Sequence, residues 1–188
     1  MDESRRIRMS KRMMKDALLE LMEQKPLSKI SVTAVCEAAD VNRSTFYAYY
    51  NETADLLHEL ENDIFGQMPR INDFRDIQND REFMKLNTEF FEYIKKNVRK
   101  FKILMVNSEN VGFYNRMTEK VLEMYRLDEN VQDEQFSYYR QVYIANGAVG
   151  MLKEWIRNDC HMSSRRFAQL IMDVAVYGKA VEVREDVY

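Results

Sequence analysis

Glycine, proline and cysteine are all scarce in this chain. Its 188 residues include 5 glycines, 2 prolines and 2 cysteines. So few turn-forming residues favour long helices, and a hydrophobic content of 46% excludes an extensively disordered chain. Cys36 and Cys160 match neither a disulfide framework nor a metal-ligand spacing. We therefore expect both thiols to be reduced and buried in a cytoplasmic protein.

Signals for membrane insertion and for catalysis are also absent. No apolar run approaches 18 residues and no signal peptide follows Met1, so no membrane association is expected. His58 and His161 are the only histidines, and the adjacent Cys160 and His161 lack the further spaced ligands of a zinc site. Phosphate-binding and nucleophile-elbow glycine motifs are missing. We expect no enzyme, no metal and no cofactor.

Helical periodicity dominates what is present, and no segment alternates with period two. The pattern therefore predicts an all-α fold. The predicted helices span residues 4–24, 51–68, 80–98, 99–106, 111–127 and 133–158, and a last helix begins after residue 163 or 164 and ends at 179. Two short helices are predicted inside 31–50, the second of them at 43–49. Residues 69–79 are expected to form a loop and 128–132 a turn. The abundant methionine and phenylalanine side chains suit either a helical core or an adaptable pocket.

The most informative stretch runs from Ser31 to Tyr50. It contains two short apolar-striped segments, with Ser31 placed to cap the first and Asn42 placed to cap the second. Asp40 lies between them, and aspartate tolerates the left-handed conformation that a tight turn needs. Two short helices joined by such a turn form a helix-turn-helix. The second helix begins Arg43-Ser44-Thr45, whose side chains can donate to phosphates and base edges.

Residues 30–57, ISVTAVCEAADVNRSTFYAYYNETADLL, resemble the DNA-binding segment of the TetR family of bacterial transcription regulators. The matching features are the small-residue helix, the V-x-R-S-T-F-Y motif, the pair Tyr49-Tyr50 and the pair Leu56-Leu57. The resemblance covers residues 10–60. It implies a three-helix DNA-binding domain at residues 1–50 and a helical ligand-sensing and dimerisation domain at residues 51–188.

The resemblance also implies which side chains contact DNA. The predicted DNA-binding residues are Thr33, Arg43, Ser44, Thr45, Tyr47, Tyr49 and Thr53. The start of the second helix would face the major groove, where arginine reads guanine. The tyrosine hydroxyls would contact phosphates, although both rings could instead be core aromatics. Thr53 stands where the family commonly has lysine, and Asp40 replaces the usual glycine of the turn.

Charge is distributed unevenly along the chain. Residues 1–50 carry a net charge of +2 and residues 51–188 carry −5, although the whole chain is at −3. A basic run near the N-terminus, Arg5 to Lys15, suits either phosphate contact or a solvated helix face. A second basic run, Lys95 to Lys102, suits either a solvated face or a surface for an anion or partner.

Two glycines inside a predicted helix indicate a close helix crossing. Glycine costs about 1 kcal/mol in a helix interior, so Gly147 and Gly150 require a reason. The segment YIANGAVGMLKEWI resembles the dimerisation helix of the TetR family. Close packing within one chain is the alternative. The predicted homodimer interface comprises Gly147, Gly150, Met151, Trp155, Ala168, Ile171, Met172 and Ala175.

The predicted function is a DNA-binding transcriptional regulator, a ligand-responsive repressor that binds a pseudo-palindromic double-stranded DNA operator as a homodimer. Its effector would be a small apolar or amphipathic molecule. The predicted pocket residues are Phe90, Met105, Phe113, Met117, Tyr139 and Tyr143, although an ordinary core accounts for all of them. The alternative is a helical adaptor, or a regulator controlled by a protein partner instead of a small molecule.

Overall fold

The computed structural model describes residues 3–69, 80–106, 111–124 and 134–176, and every regular element in these ranges is helical. The predicted all-α fold is therefore confirmed. The helices are α1 (Glu3–Met22), α2 (Val32–Ala38), α3 (Arg43–Tyr47), α4 (Thr53–Phe65), α5 (Asp80–Lys96), α6 (Val98–Phe101), α7 (Val111–Met124), α8 (Glu134–Arg157) and α9 (Ser164–Ile171). A 3-10 turn spans Leu27–Lys29, and π-helical turns span Lys102–Val106 and Met172–Val176. The predicted loop after Pro69 and the predicted turn at 128–132 lie outside the described residues.

The chain forms two compact units. The N-terminal unit comprises Met1–Gln67 together with Ile103–Phe113, and the C-terminal unit comprises Met68–Lys102 together with Tyr114–Tyr188. The N-terminal unit is therefore discontinuous in sequence, because a later segment returns to complete it. The functional boundary predicted at residue 50 stays a prediction.

The N-terminal unit is built around α1, which packs on α2 and α4. Met14 and Leu18 of α1 are fully buried, as is Phe46 of α3. The returning segment adds Phe113, which is also fully buried and stacks on Phe65 of α4 with ring centroids 5.4 Å apart. Each buried side chain of this size contributes about 1.5–3 kcal/mol, so the returning segment is a real part of this core.

The C-terminal unit has an aromatic core between α5, α8 and α9. Trp155 stacks on Phe167 with a centroid distance of 4.5 Å, and Phe91 meets both rings edge-on at 5.8 Å and 4.9 Å. The indole Nε1 of Trp155 donates to the Met162 carbonyl at 3.0 Å. This bond satisfies the one polar atom that the ring would otherwise bury unpaired.

A tight turn joins α8 to α9. Asp159 and Cys160 both have left-handed backbone conformations, with φ of 55° and 51°. The Ser163 hydroxyl then caps α9 by accepting from the Arg166 N–H at 3.3 Å. Cys160 is a buried free thiol whose pKa burial raises to about 11. Together with the free and buried Cys36, it matches the expectation of reduced, buried thiols.

Candidate nucleic-acid interface

The predicted helix-turn-helix is present, and its turn has the predicted chemistry. The Ser31 hydroxyl accepts from the Ala34 N–H at 3.2 Å, which caps α2 as expected. Asp40 adopts the left-handed conformation with φ of 51°, as predicted for the residue in place of glycine. Asn42 occupies the capping position before α3 but makes no side-chain capping bond. The α3 helix ends at Tyr47, two residues before its predicted end.

The short helix α3 has one anchored face and one exposed face. Phe46 is fully buried and its ring lies 5.5 Å from that of Tyr50, which is 4% exposed. On the other side Arg43 and Ser44 are exposed, and Tyr47 is 58% exposed. The structure therefore brings these three predicted DNA-binding residues together on solvent. The exposure of Tyr47 excludes the alternative that it is a core aromatic.

The remaining predicted DNA-binding residues are less exposed. Thr33, Thr45 and Tyr49 are half-buried. Lys11 Nζ lies 5.2 Å from the centroid of the Tyr49 ring, at cation–π distance. The Thr53 hydroxyl donates to the Ile30 carbonyl in a long bond of 3.5 Å. Its side chain thus links the start of α4 to the segment before α2, which competes with a phosphate contact.

An ion-pair cluster holds α4 against α1. Lys15 Nζ lies 2.8 Å from Glu59 and 2.6 Å from Asp63, while Lys11 Nζ lies 2.9 Å from Glu59. Burial by itself would raise the pKa of the Glu59 carboxyl, but hydrogen bonds from Lys15 and Lys11 lower it to about 2. Burial would lower the pKa of Lys15, but its bonds to Asp63 and Glu59 raise it. The Lys15–Glu59 pair therefore stays charged over the whole physiological pH range.

This cluster was not predicted, although its residues have a readable spacing. Lys11 and Lys15 are four residues apart on α1, and Glu59 and Asp63 are four residues apart on α4. Each pair therefore lies on one face of its helix. The sequence does not say which helices face each other, so the spacing alone leaves the basic pair as part of a DNA-contacting or solvated run. In the structure the two lysines form ion pairs that link α1 to α4.

We expect the N-terminal unit to lose stability as the pH falls from about 4.5 to about 2. The Glu59 carboxylate, with its lowered pKa, stabilises the fold above its unfolded pKa, and this stabilisation is lost as the pH falls through its folded pKa of about 2. Because Glu59 is partly exposed, the loss should be about 1 kcal/mol. Urea unfolding across this range, with Glu59→Gln beside the wild type, measures it. Glu123→Gln is the control, because Glu123 pairs with Lys120 on the surface, and an equal effect there would contradict the assignment.

The N-terminal basic run divides into two groups in the structure. Its lysines are engaged with α4, whereas Arg5, Arg6 and Arg8 are exposed. Arg12 is exposed too and lies 3.7 Å from Asp16, which is a weak surface pair. The arginines are therefore the part of this run that faces solvent and could meet a phosphate backbone.

The C-terminal unit contains a mainly apolar cavity with about 520 Å³ of empty space, part of it open to solvent. Met68, Phe90 and Phe91 line one side, and Met117, Val121 and Met124 of α7 line another. Ala148, Val149 and Leu152 of α8 and Ile171 of α9 complete much of the wall. Long methionine and aromatic side chains meeting at one space could hold a small apolar molecule.

Only Phe90 and Met117 of the six predicted pocket residues line this cavity. Met105 and Phe113 are buried in the core of the N-terminal unit instead. Tyr139 and Tyr143 lie on the exposed face of α8, at 66% and 77% exposure. The predicted pocket is corrected accordingly, because aromatic character alone did not distinguish the wall of a cavity from a core or a surface.

The predicted dimer residues also divide between core and surface. Trp155, Ala168, Ile171 and Met172 are between 0% and 6% exposed, so they belong to the core of the single chain and present no free face. Gly147 is exposed, and Gly150 and Met151 are half-buried. The side chain of Ala175 lies outside the described part of the structure. The exposed aromatic face of α8 was not predicted as an interface.

Among the described residues, no group of histidine, cysteine, aspartate and glutamate side chains could hold a metal ion. In the same part of the chain, none of the helices is long and apolar enough to cross a bilayer.

The described residues thus form a helix-turn-helix whose second helix has a buried anchor and an exposed face of donors, the arrangement typical of DNA-binding proteins. A model of the family described as "Bacterial regulatory proteins, tetR family" matches residues 16–60, and one described as "Transcriptional regulator C-terminal region" matches residues 81–176. The chain belongs to the TetR family of bacterial transcriptional regulators. No curated protein matches it in sequence.

Solved structures share this fold at low identity. A TetR transcriptional regulator from Streptococcus agalactiae is 20% identical with a TM-score of 0.64, over 92% of this chain and 97% of that one. NalD, the secondary repressor of a multidrug efflux pump in Pseudomonas aeruginosa, is 18% identical with a TM-score of 0.64, over 94% and 99%. The dihydroxyacetone kinase operon activator DhaS is 16% identical with a TM-score of 0.60, over 90% and 95%. These likenesses concern the fold.

Proposed function

We propose that this TetR-family regulator is a ligand-responsive repressor that binds a pseudo-palindromic operator as a homodimer. The observation that carries the DNA-binding part is the exposed face of α3, where Arg43, Ser44 and Tyr47 lie together above buried Phe46. A helix held from beneath by a fully buried ring can present its donors in a fixed orientation. That is what reading base edges in the major groove requires.

The exposed residues divide by the chemistry of their contacts. Arg43, at the first position of α3, would read a base, because a guanidinium can bond guanine O6 and N7 together. Ser44 and Thr45 would add shorter contacts beside it. The Tyr47 hydroxyl and the exposed arginines at the start of α1 would contact phosphates, which position the protein without reading sequence.

The homodimer is proposed to form on the exposed aromatic face of α8. Three tyrosines on this face are largely exposed: Tyr138 at 56%, Tyr139 at 66% and Tyr143 at 77%. Tyrosine is among the residues most enriched at protein interfaces, so this face is a candidate contact surface. Tyr139 and Tyr143 are four residues apart, and Gly147 follows four residues later. These positions form one stripe along the helix, which is the geometry of a helix-to-helix contact.

The glycines of α8 support the same interface. A Cβ atom added to Gly147 would meet no described atom within 4 Å, and one added to Gly150 would lie 4.0 Å from the Tyr114 hydroxyl, an ordinary contact. Packing among the described residues therefore requires glycine at neither position. Because glycine in a helix interior costs about 1 kcal/mol, the close approach of a helix from a second chain is the better explanation.

The ligand response is proposed to run through α7. Met117, Val121 and Met124 of this helix line the cavity, and Phe113 of the same helix stacks on Phe65 of α4 in the N-terminal unit. The Lys15–Glu59 and Lys15–Asp63 pairs in turn hold α4 to α1. A ligand that turns α7 would thus shift α4 and the helix-turn-helix with it. In a dimer this would move the two recognition helices out of register with major grooves about 34–36 Å apart.

The second candidate is a regulator controlled by a protein partner, for which the tyrosine face of α8 would be the docking surface.

The similar structures include both a repressor and an activator by name, so a promoter fusion to a reporter gene tests whether this protein represses or activates. Raised expression on deletion of the gene supports repression. Lowered expression on deletion supports activation.

A gel shift against genomic fragments, repeated at increasing salt, tests the DNA-binding part. We expect a small set of fragments to be retained, with affinity falling steeply as salt rises because phosphate contacts release counterions. Retention of no fragment at low salt would contradict DNA binding and favour a helical adaptor that binds protein instead of DNA. Footprinting of a retained fragment should show two half-sites about one helical turn apart.

Tyr47→Phe should weaken binding to specific and random DNA by the same factor, about threefold to tenfold. The motive is the 58% exposed ring with its hydroxyl on the α3 face, so little fold stability should be lost. Fluorescence anisotropy with operator and scrambled duplexes measures both affinities, and thermal unfolding measures stability. A change in preference between the duplexes would show instead that the hydroxyl reads a base.

A further inference from the structure

We propose that the cavity of the C-terminal unit takes an uncharged, mainly apolar aromatic molecule that carries one neutral hydrogen-bonding group. This inference rests on the proposed function, in which the same cavity holds the effector, and it names the chemical class of that effector. It is carried by the composition of the wall and by the placement of one amide in it.

The described wall contains no charged side chain. Its residues are three methionines, two phenylalanines, aliphatic side chains, a proline and Asn87, and Asn87 is the one polar side chain among them. An ion transferred from water into such a space loses its hydration and gains no counter-charge from these residues. A carboxylate or an ammonium group on the ligand should therefore be strongly disfavoured compared with a neutral group of the same size.

Methionine and phenylalanine make the wall suited to an aromatic ring. Met117 and Met124 approach from α7, while the rings of Phe90 and Phe91 are tilted at 44° with centroids 6.0 Å apart. Thioether sulfur forms favourable contacts with aromatic rings, and the unbranched methionine side chain adapts to their outline. The wall should thus accept planar rings of somewhat different shapes.

Asn87 determines where the single polar group would lie. It is half-buried on α5, three and four residues before Phe90 and Phe91, so all three side chains share one face of the helix. An amide carries two N–H donors and an oxygen that accepts twice, which is capacity for more than one partner. A hydroxyl, ether or amide of the ligand would therefore point toward α5, with its ring toward α7.

Calorimetric titration of the full-length protein with three naphthalene probes at pH 7 tests this class. The probes are 1-naphthol, which is neutral, 1-naphthoate, which is an anion, and 1-naphthylmethylammonium, which is a cation. We expect 1-naphthol to bind at least roughly tenfold more tightly than either ion. Equal binding of either ion, or no binding of 1-naphthol up to its solubility limit, would overturn the proposal.

Two variants test whether 1-naphthol binds in the cavity. Ala148→Phe should abolish 1-naphthol binding by filling the space, and Asn87→Leu should weaken 1-naphthol about fivefold while leaving 1-methylnaphthalene unchanged. Glu154→Phe, an exposed position later in α8, is the matched control and should bind 1-naphthol normally. Thermal unfolding of each variant verifies that it folds. If both folded cavity variants bind 1-naphthol like the wild type, the site is elsewhere and the proposal fails.

The titration is made without DNA, so its failure differs from failure of the proposed function. If charged probes bind best and still release the operator, the ligand class is wrong and the ligand-responsive regulator stands. If only 1-naphthol binds but operator occupancy does not change with it, the cavity has the proposed selectivity and the ligand response is wrong.

Discussion

Gly147→Leu is expected to convert the proposed dimer into a monomer and to lower operator affinity about a hundredfold. A leucine side chain at the end of the tyrosine stripe would keep the partner helix from approaching, and a single head would hold only one half-site. No described atom lies within 4 Å of the added Cβ, so the single chain has room for it. The free energy of unfolding of the variant chain should be unchanged or about 0.5–1 kcal/mol higher, because a helix former replaces glycine.

Light scattering and anisotropy with a two-site operator measure the two effects together. Glu119→Leu is the control, since it adds the same side chain at an exposed position of α7 and should remain dimeric. If the wild-type protein is monomeric at micromolar concentration, the proposed interface on α8 is wrong. A Gly147→Leu protein that stays dimeric would show that the partner contacts another face.

Arg43→Ala should weaken specific DNA binding by about 1–3 kcal/mol, a loss of roughly fivefold to 150-fold, and relax preference at one base position. The physical reason is its exposed guanidinium at the first position of α3, on a helix that buried Phe46 holds in place. Selection of bound sequences from a randomised duplex library, made for both proteins, identifies the relaxed position.

Arg165→Ala is the matched control for charge. It removes one exposed guanidinium from the start of α9 in the C-terminal unit, and operator affinity should not change. If Arg43→Ala weakens specific and random DNA equally, Arg43 contacts phosphate and does not read a base. The salt dependence of binding would then fall by about one counterion.

Features that depend on local chemistry could be predicted from the sequence. The Ser31 cap and the left-handed Asp40 were both correct, because each is decided within a few residues of backbone. The succession of helices was correct for the same reason, since apolar spacing and scarce turn residues act locally. Within the described ranges the predicted and observed helices differ at their ends, where helices commonly fray.

Features that depend on which surfaces meet could not be predicted in this way. On α8 the neighbours Tyr143 and Ile144 are 77% and 8% exposed, although both count as apolar in a sequence pattern. The helix therefore has large apolar side chains on more than one side, and its pattern does not show which side is inside. The Lys15–Glu59 pair joins residues 44 positions apart, a distance at which single-sequence spacing carries no signal.

The discontinuous N-terminal unit limits how this regulator can be divided or recombined. A fragment that ends at Gln67 would lack the fully buried Leu104 and Phe113, and the Phe65 ring would lose its stacking partner. We therefore expect that residues 1–67 alone would not fold into a stable DNA-binding fragment. An exchange of heads between homologous regulators would therefore have to carry a compatible 103–113 segment with it, so that the Phe65 ring keeps a stacking partner.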